Sequence, residues 1–487
     1  MVSEWHEVSL LDISDRIGDG LHDTPTYSEN GDYYFVNGNN LESGEITIKD
    51  STKKVDFEQY QKHKKDINDN AILVSINGTI GNVALYNGEE VVLGKSACYI
   101  NLKKNIHREF VAYVLTSRQF QEHIQRCATG STIKNVSLKM MREFKFRMPE
   151  DEKDQIRAVE SLKYIDEKIR INRQTNQTLE EMAQTLFKSW FVDFDPVFDN
   201  ALAAGSNVSD FPEALQQRAL LRQERRKQVQ QLAASPKTKS KPLPEDIRSL
   251  FPSEFEQTDE SSIGIAGWIP KGWKATSFES IIKLIGGGTP KTTIEEYWSG
   301  EIPWFSVVDA PNDSDVFVLD TEKHVTQLGV DKSSTKMLRK GTTIISARGK
   351  VGKCALVAEP MAMNQSCYGL NGIEGVSDEF IYFMTRHQVS DLQKRGHGSV
   401  FNTITRETFK SIILPFSGSD ITQKFSKSVV PFLNKILLNN KQNVALEKTR
   451  DVLLPKLISG ELTIPDSIKT ENNVNHQQPK EPLSHHA

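Results

Sequence analysis

Cysteine is scarce in this chain of 487 residues: there are four, Cys98, Cys127, Cys354 and Cys367, and no two form a CxxC pair. That argues for reduced thiols packed as small apolar groups. Long hydrophobic runs are missing as well. None approaches the ~18 apolar residues of a membrane-spanning helix. The opening MVSEWHEVSLLD has acids where a secretory signal needs a basic end. The expectation is a cytoplasmic protein without membrane contact. The eleven histidines show no HExxH or related ligand spacing, and the Asn/Asp-Pro-Pro-Tyr/Phe motif of methyltransferases does not occur. Strong charge of one sign is also lacking: the net charge of −4 excludes a uniformly basic nucleic-acid protein.

What is present is an ordinary globular composition, 37% hydrophobic and 25% charged, in a length worth about three domains. The charge is unevenly placed. Val91 to Met148 holds 11 Lys or Arg against 3 Glu, and Lys332 to Ala358 holds 7 against no acid. Two such clusters suit a polyanion, although a solvated surface can have the same composition.

The clusters sit in a repeat. SINGTIGNVAL, Ser75 to Leu85, and SARGKVGKCAL, Ser346 to Leu356, share Ser, Gly, Gly, Ala and Leu at a constant separation of 271 residues. Around them the order recurs: a Trp (Trp5, Trp273), a glycine cluster with a Pro (Gly18 onward, Gly286 onward), and an aromatic strand. The loop follows, then a short apolar helix, a Gly-Ser turn (from Thr129 and from His397), and a strand closed by Pro149 or Pro415. Short β-type runs mixed with helices predict two α+β domains, at 1–150 and 266–416.

Each domain is followed by a long helical pattern, at 151–199 and 417–465. Apolar residues recur at three- and four-residue steps, forming a narrow seam like that of a coiled coil. Two asparagines interrupt each seam at one separation, Asn172 and Asn176, then Asn439 and Asn443. Buried asparagines cost stability but fix register. Antiparallel packing would bring the four together and make the repeat pseudo-twofold. Pro431 predicts a kink or a break in the second helix. Between the halves, 200–265 reads as a helix with a basic face plus a linker, and 466–487 as a disordered tail.

The glycine loops do not make a nucleotide-binding P-loop. Gly349 to Cys354 puts Cys where that motif needs Ser or Thr, and the first copy has no Lys. A tight hairpin whose glycines accept positive φ explains the pattern. So does a hairpin that also approaches DNA.

Several stretches resemble the specificity subunit of Type I restriction–modification systems. They are LEEMAQTLFKSWFVDFDPV (Leu179–Val197), LEKTRDVLLPKLISGEL (Leu446–Leu462), HDTPTY, FVNGNNLESGEI and IPKGW. The resemblance implies two α+β target-recognition domains, each reading one half of a split DNA site. It implies two conserved helices that pack as an antiparallel coiled coil and dock two methyltransferase subunits, to which restriction/translocase subunits add. It implies no catalysis in this chain: S-adenosylmethionine, ATP and Mg would bind the partner subunits, and no metal would bind here.

On that reading double-stranded DNA meets the variable loop positions. In the first domain the candidates are Thr24, Asn77, Thr79, Asn82, Lys95, Ser131, Lys134 and Asn135. In the second they are Thr289, Lys291, Arg348, Lys350, Lys353, Gln365, His397, Ser399, Asn402 and Thr403. Arg takes guanine bidentately and Asn takes adenine, whereas Lys350 and Lys353 suit phosphate. Trp190, Phe191 and Phe194 are either an apolar cluster on the helix end or a docking surface for a methyltransferase subunit. A coiled-coil scaffold whose globular domains bind protein is the rival reading, and salt-sensitive DNA binding separates the two.

Overall fold

A computed structural model describes residues 4–42, 44–129, 134–233, 243–311, 315–395 and 403–463. Ser131, His397, Ser399, Asn402 and the tail beyond 463 lie outside the described residues. The chain divides into two compact units, one formed by Met1–Lys168 with Ala445–Ala487, the other by Ile169–Val444.

Unit 1 is α+β. Its central sheet orders Ser14–Asp19, Ala97–Leu102, Ala71–Ser75 and Val83–Leu85, all antiparallel. Ala71–Ser75 (AILVS) is buried at every residue, which explains why it reads as a continuous apolar run rather than an alternating one. A smaller sheet carries Tyr33–Val36 parallel to Val91–Leu93, with Lys54–Val55 on its other side. Trp5–Ser9 pairs with Lys145–Pro149 and ties the start of the domain to its end. Phe110, Phe120, Phe144 and Phe146 fill the core under the helices Arg108–Thr116 and Arg118–Cys127.

Unit 2 repeats this plan. Ile282–Gly286, Cys367–Gly372, Thr343–Ser346 and Cys354–Val357 stand in the order of their counterparts, and Phe317–Val318 adds a fifth, parallel strand. Lys274–Ser277 pairs with Ile413–Phe416, as the corresponding strands do in unit 1.

The seams form two helices of 40 residues, Glu152–Phe191 and Ser419–Ile458. Within unit 2, Asn172 Nδ2 donates to Asn443 Oδ1 at 2.8 Å, and Asn439 Nδ2 to Asn176 Oδ1 at 2.8 Å. Rising numbers on one helix meet falling numbers on the other, so the helices pair antiparallel. Since Asn172 corresponds to Asn439 and Asn176 to Asn443, the contact is reciprocal, and all four side chains are buried. Within unit 1, Arg450 Nη1 donates to Asp166 Oδ1 at 2.9 Å, and Leu457 and Ile458 share a core with Val159 and Leu162.

Two expectations change. Pro431 neither ends nor interrupts its helix, which runs unbroken through it. Trp190, Phe191 and Phe194 present no docking surface, because their side chains are 1%, 2% and 0% exposed. Phe191 lies 4.8 Å from Phe380 and 5.4 Å from Phe425, and Phe194 meets the Trp273 ring edge-on at 5.5 Å. At about 2 kcal/mol per buried large apolar side chain, this core outweighs exposure for a partner.

The basic insert also packs inward. Helix Glu213–Ala233 carries Arg218, Arg222 and Arg226 one turn apart, facing Asp193, Asp195 and Asp199 near helix Asp195–Ala203. Arg218 reaches Asp195 at 2.6 Å and Asp193 at 2.9 Å, and Arg222 reaches Asp199 at 2.5 Å. Among the described residues no helix is long and apolar enough to cross a membrane.

Candidate nucleic-acid interface

In each unit the hairpin strands end in a tip of one backbone design. Ser75 N donates to Asn82 O at 2.8 Å, and Ser346 N to Lys353 O at 2.9 Å. The serine hydroxyl accepts from the same residue's amide: Asn82 N to Ser75 Oγ at 2.8 Å, Lys353 N to Ser346 Oγ at 2.9 Å. Gly81 N and Gly352 N each close the turn on the serine carbonyl at 2.9 Å. The glycines have φ of 75° and 96° in one tip, 77° and 89° in the other, values that L side chains rarely adopt. The residues shared by the two copies are therefore the ones that build the turn.

Other segments converge on the tip. Ile76 N bonds to Ser96 O at 2.9 Å and Ala347 N to Ser366 O at 2.7 Å, bringing up the turns that hold Lys95 and Gln365. Val136 N donates to Ile76 O at 2.8 Å and Ile404 N to Ala347 O at 2.9 Å, bringing in the stretch after each Gly-Ser turn. The glycine clusters permit close backbone approach. A Cβ on Gly20 would stand 2.2 Å from Gly94 O, and one on Gly287 would collide with Asn364 O.

The candidates are distributed accordingly. Thr24, Thr79, Lys95, Lys134 and Asn135 are exposed in unit 1, and Lys291, Arg348, Lys350, Gln365 and Thr403 in unit 2. Asn77 is partly buried and donates to Asn135 Oδ1 at 3.3 Å, while Lys134 donates to Gln125 at 2.7 Å. Thr289 bonds to Gln365, which binds the glycine cluster to the turn. Asn82 and Lys353 are half-buried framework positions, since their backbone groups fasten the hairpin. Burial pushes the Cys354 thiol up to about 12, so it stands protonated at neutral pH.

Sequence reasoning missed a groove in unit 1, about 480 Å³, lined by Asp15, Arg16, Asp19, Lys65, Tyr99 and Arg142 among others. Arg16 lies 5.9 Å over the Tyr99 ring, and Arg142 donates to Ile17 O at 3.0 Å. These residues come from four separate segments, so no local pattern joins them. Also unpredicted are the apolar side chains left in solvent on the long helices. They are Ile156, Tyr164 and Val452 in unit 1, and Ile171, Met182, Leu438 and Val444 in unit 2.

A repeated α+β domain, with differing side chains on one hairpin frame and long paired helices, defines the architectural class. The chain belongs to the Type I restriction modification DNA specificity domain family, whose pattern matches residues 2–181 and again 270–448. The stretch between those matches contains the arginine-bearing insert. The chain is 28% identical over 364 residues to the Type I restriction enzyme HindI specificity subunit of Haemophilus influenzae, covering 73% of this chain and 77% of that one. It is 29% identical over 204 residues to the MjaIX specificity subunit of Methanocaldococcus jannaschii, covering 42% and 46%. The fold is similar to the crystal structure of a Type I restriction–modification S subunit from M. genitalium. That match has a TM-score of 0.52 at 16% identity over 93% of this chain and 96% of the other.

Proposed function

We propose that the chain reads a bipartite, asymmetric DNA site, one half-site per domain, and catalyses no reaction itself. The observation that carries this is the pair of tips: one hydrogen-bonded frame, with different side chains at its outward positions. A constant frame with variable side chains suits two readers of unlike sequences. Arg348 would take guanine in the second half-site and Asn77 adenine in the first, with Lys350 on phosphate. Two methyltransferase subunits and the restriction/translocase subunits would supply the chemistry, with S-adenosylmethionine, ATP and Mg bound on them. The apolar side chains exposed on the long helices are the natural docking surface for the methyltransferase subunits, in place of the buried Trp190 cluster.

The test is exchange of residues 266–416 for the corresponding domain of a related subunit, followed by sequencing of methylated DNA from cells that also make the partners. One half of the methylated site should change while the other half and the modification stay. Change in both halves, or in neither, would overturn the reading.

A further inference from the structure

The two tips share a backbone and differ in electrostatics. Position 77 corresponds to 348 and position 79 to 350. The outward residues are Asn and Thr in the first tip, Arg and Lys in the second. Arg348 and Lys350 are exposed, and among the described residues neither side chain has a hydrogen-bond or ion-pair partner, although the Lys350 carbonyl accepts from the Ser346 hydroxyl.

In the basic run of unit 1, Lys95 is exposed on the turn beside the first tip and Lys104 is exposed further off, whereas most of the other cations are engaged within the unit. Arg118 pairs with Glu122 at 2.6 Å, Lys145 with Glu7 at 3.5 Å and Lys139 with Glu143 at 3.8 Å. Arg142 and Arg147 donate to the carbonyls of Ile17 and Trp5, and Arg108 to those of Asp69 and Tyr86. Each of these contacts must be given up before the cation meets a phosphate, whereas the Arg348 and Lys350 side chains have none to give up.

We propose that the two domains divide the work of DNA binding. The second tip, through Arg348 and Lys350, supplies the salt-dependent anchoring. The first, through Asn77 and Thr79, contributes uncharged hydrogen bonds that discriminate sequence with little dependence on salt. This rests on the reading of the chain as a DNA-binding subunit and assigns unequal roles within it. Long-range attraction acts before short-range hydrogen bonds form, so the second domain makes the first productive contact with DNA.

The experiment uses the full chain assembled with its methyltransferase subunits. Affinity for a duplex carrying the methylated site is measured by fluorescence anisotropy across a salt series. The slope of log affinity against log salt should fall by at least about 0.9 in R348Q/K350Q, the increment for one phosphate contact. N77A/T79V should weaken binding with the wild-type slope. The reciprocal variant N77R/T79K, built on the same frame, should steepen the slope by a similar amount and guards against a folding defect in the first pair. An unchanged slope in R348Q/K350Q, or an equal loss of slope in N77A/T79V, overturns the division alone. A wild-type assembly that binds no duplex at any salt overturns the proposed function as well.

Discussion

One buried hydroxyl shapes each hairpin tip. Ser75 and Ser346 are 1% and 0% exposed, and each accepts the amide that closes its hairpin. Replacement by alanine leaves that amide without its acceptor, at about 1–3 kcal/mol. We therefore expect Ser346→Ala to lower the denaturation midpoint of unit 2, and threonine to restore part of the loss. A midpoint equal to wild type would show that the tip holds its shape without the hydroxyl. This much was legible in the sequence, because a serine and two glycines at fixed spacing are a local backbone requirement. The fate of Trp190, Phe191 and Phe194 was not. An apolar helix end looks the same whether the chain or a partner covers it, and only the positions of Phe380, Phe425 and Trp273 decide.

The long helices show the same contrast between local and distant information. Their apolar spacing and asparagine pairs could be read directly, because a seam has a period and a polar interruption has a register. Asn176 both accepts from Asn439 and donates to Asn440 at 2.6 Å. Asn176→Ala strands the buried Asn439 amide and frees the half-buried Asn440, so urea unfolding should show a loss of about 1–3 kcal/mol. The double change Asn176→Leu with Asn439→Leu should instead match or exceed wild-type stability, since apolar replacements of a buried polar pair are often neutral or stabilising. A double variant weaker than the single one would mean that the asparagine layer adds net stability. The arginine-rich insert reads as a basic-faced helix, and what that face meets is not written in the sequence. A basic face has one signature in sequence whether it faces a polyanion or, as here, Asp193, Asp195 and Asp199 of its own chain. Of the kink or break expected at Pro431, the break does not occur. A helix packed along its length tolerates the loss of one backbone hydrogen bond that an isolated helix would not.

Across the whole molecule the repeat was legible in the sequence. Sequence alone drew boundaries at the ends of the similar stretches. The compact units instead cut through both long helices, leaving residues 445–487 with the first unit. That assignment has physical content. Leu457 and Ile458 lie in the unit 1 core, and Trp5 stands so close to Gly460 that a Cβ there would come within 2.6 Å of its ring. Truncation after residue 444 should therefore raise hydrogen exchange throughout the strands of unit 1 while those of unit 2 stay protected. Equal loss in both units, or in neither, would contradict the division.

A discontinuous first unit also bears on biosynthesis. Ribosomes release the chain from its N-terminus, at about 5–20 residues per second. Residues 169–444, the whole of unit 2, must emerge before the segment that completes unit 1. The first domain to be made is thus the last to be finished. It waits on the order of tens of seconds with Val159 and Leu162 uncovered, which makes the nascent N-terminal half a natural client for chaperones that shield apolar surface.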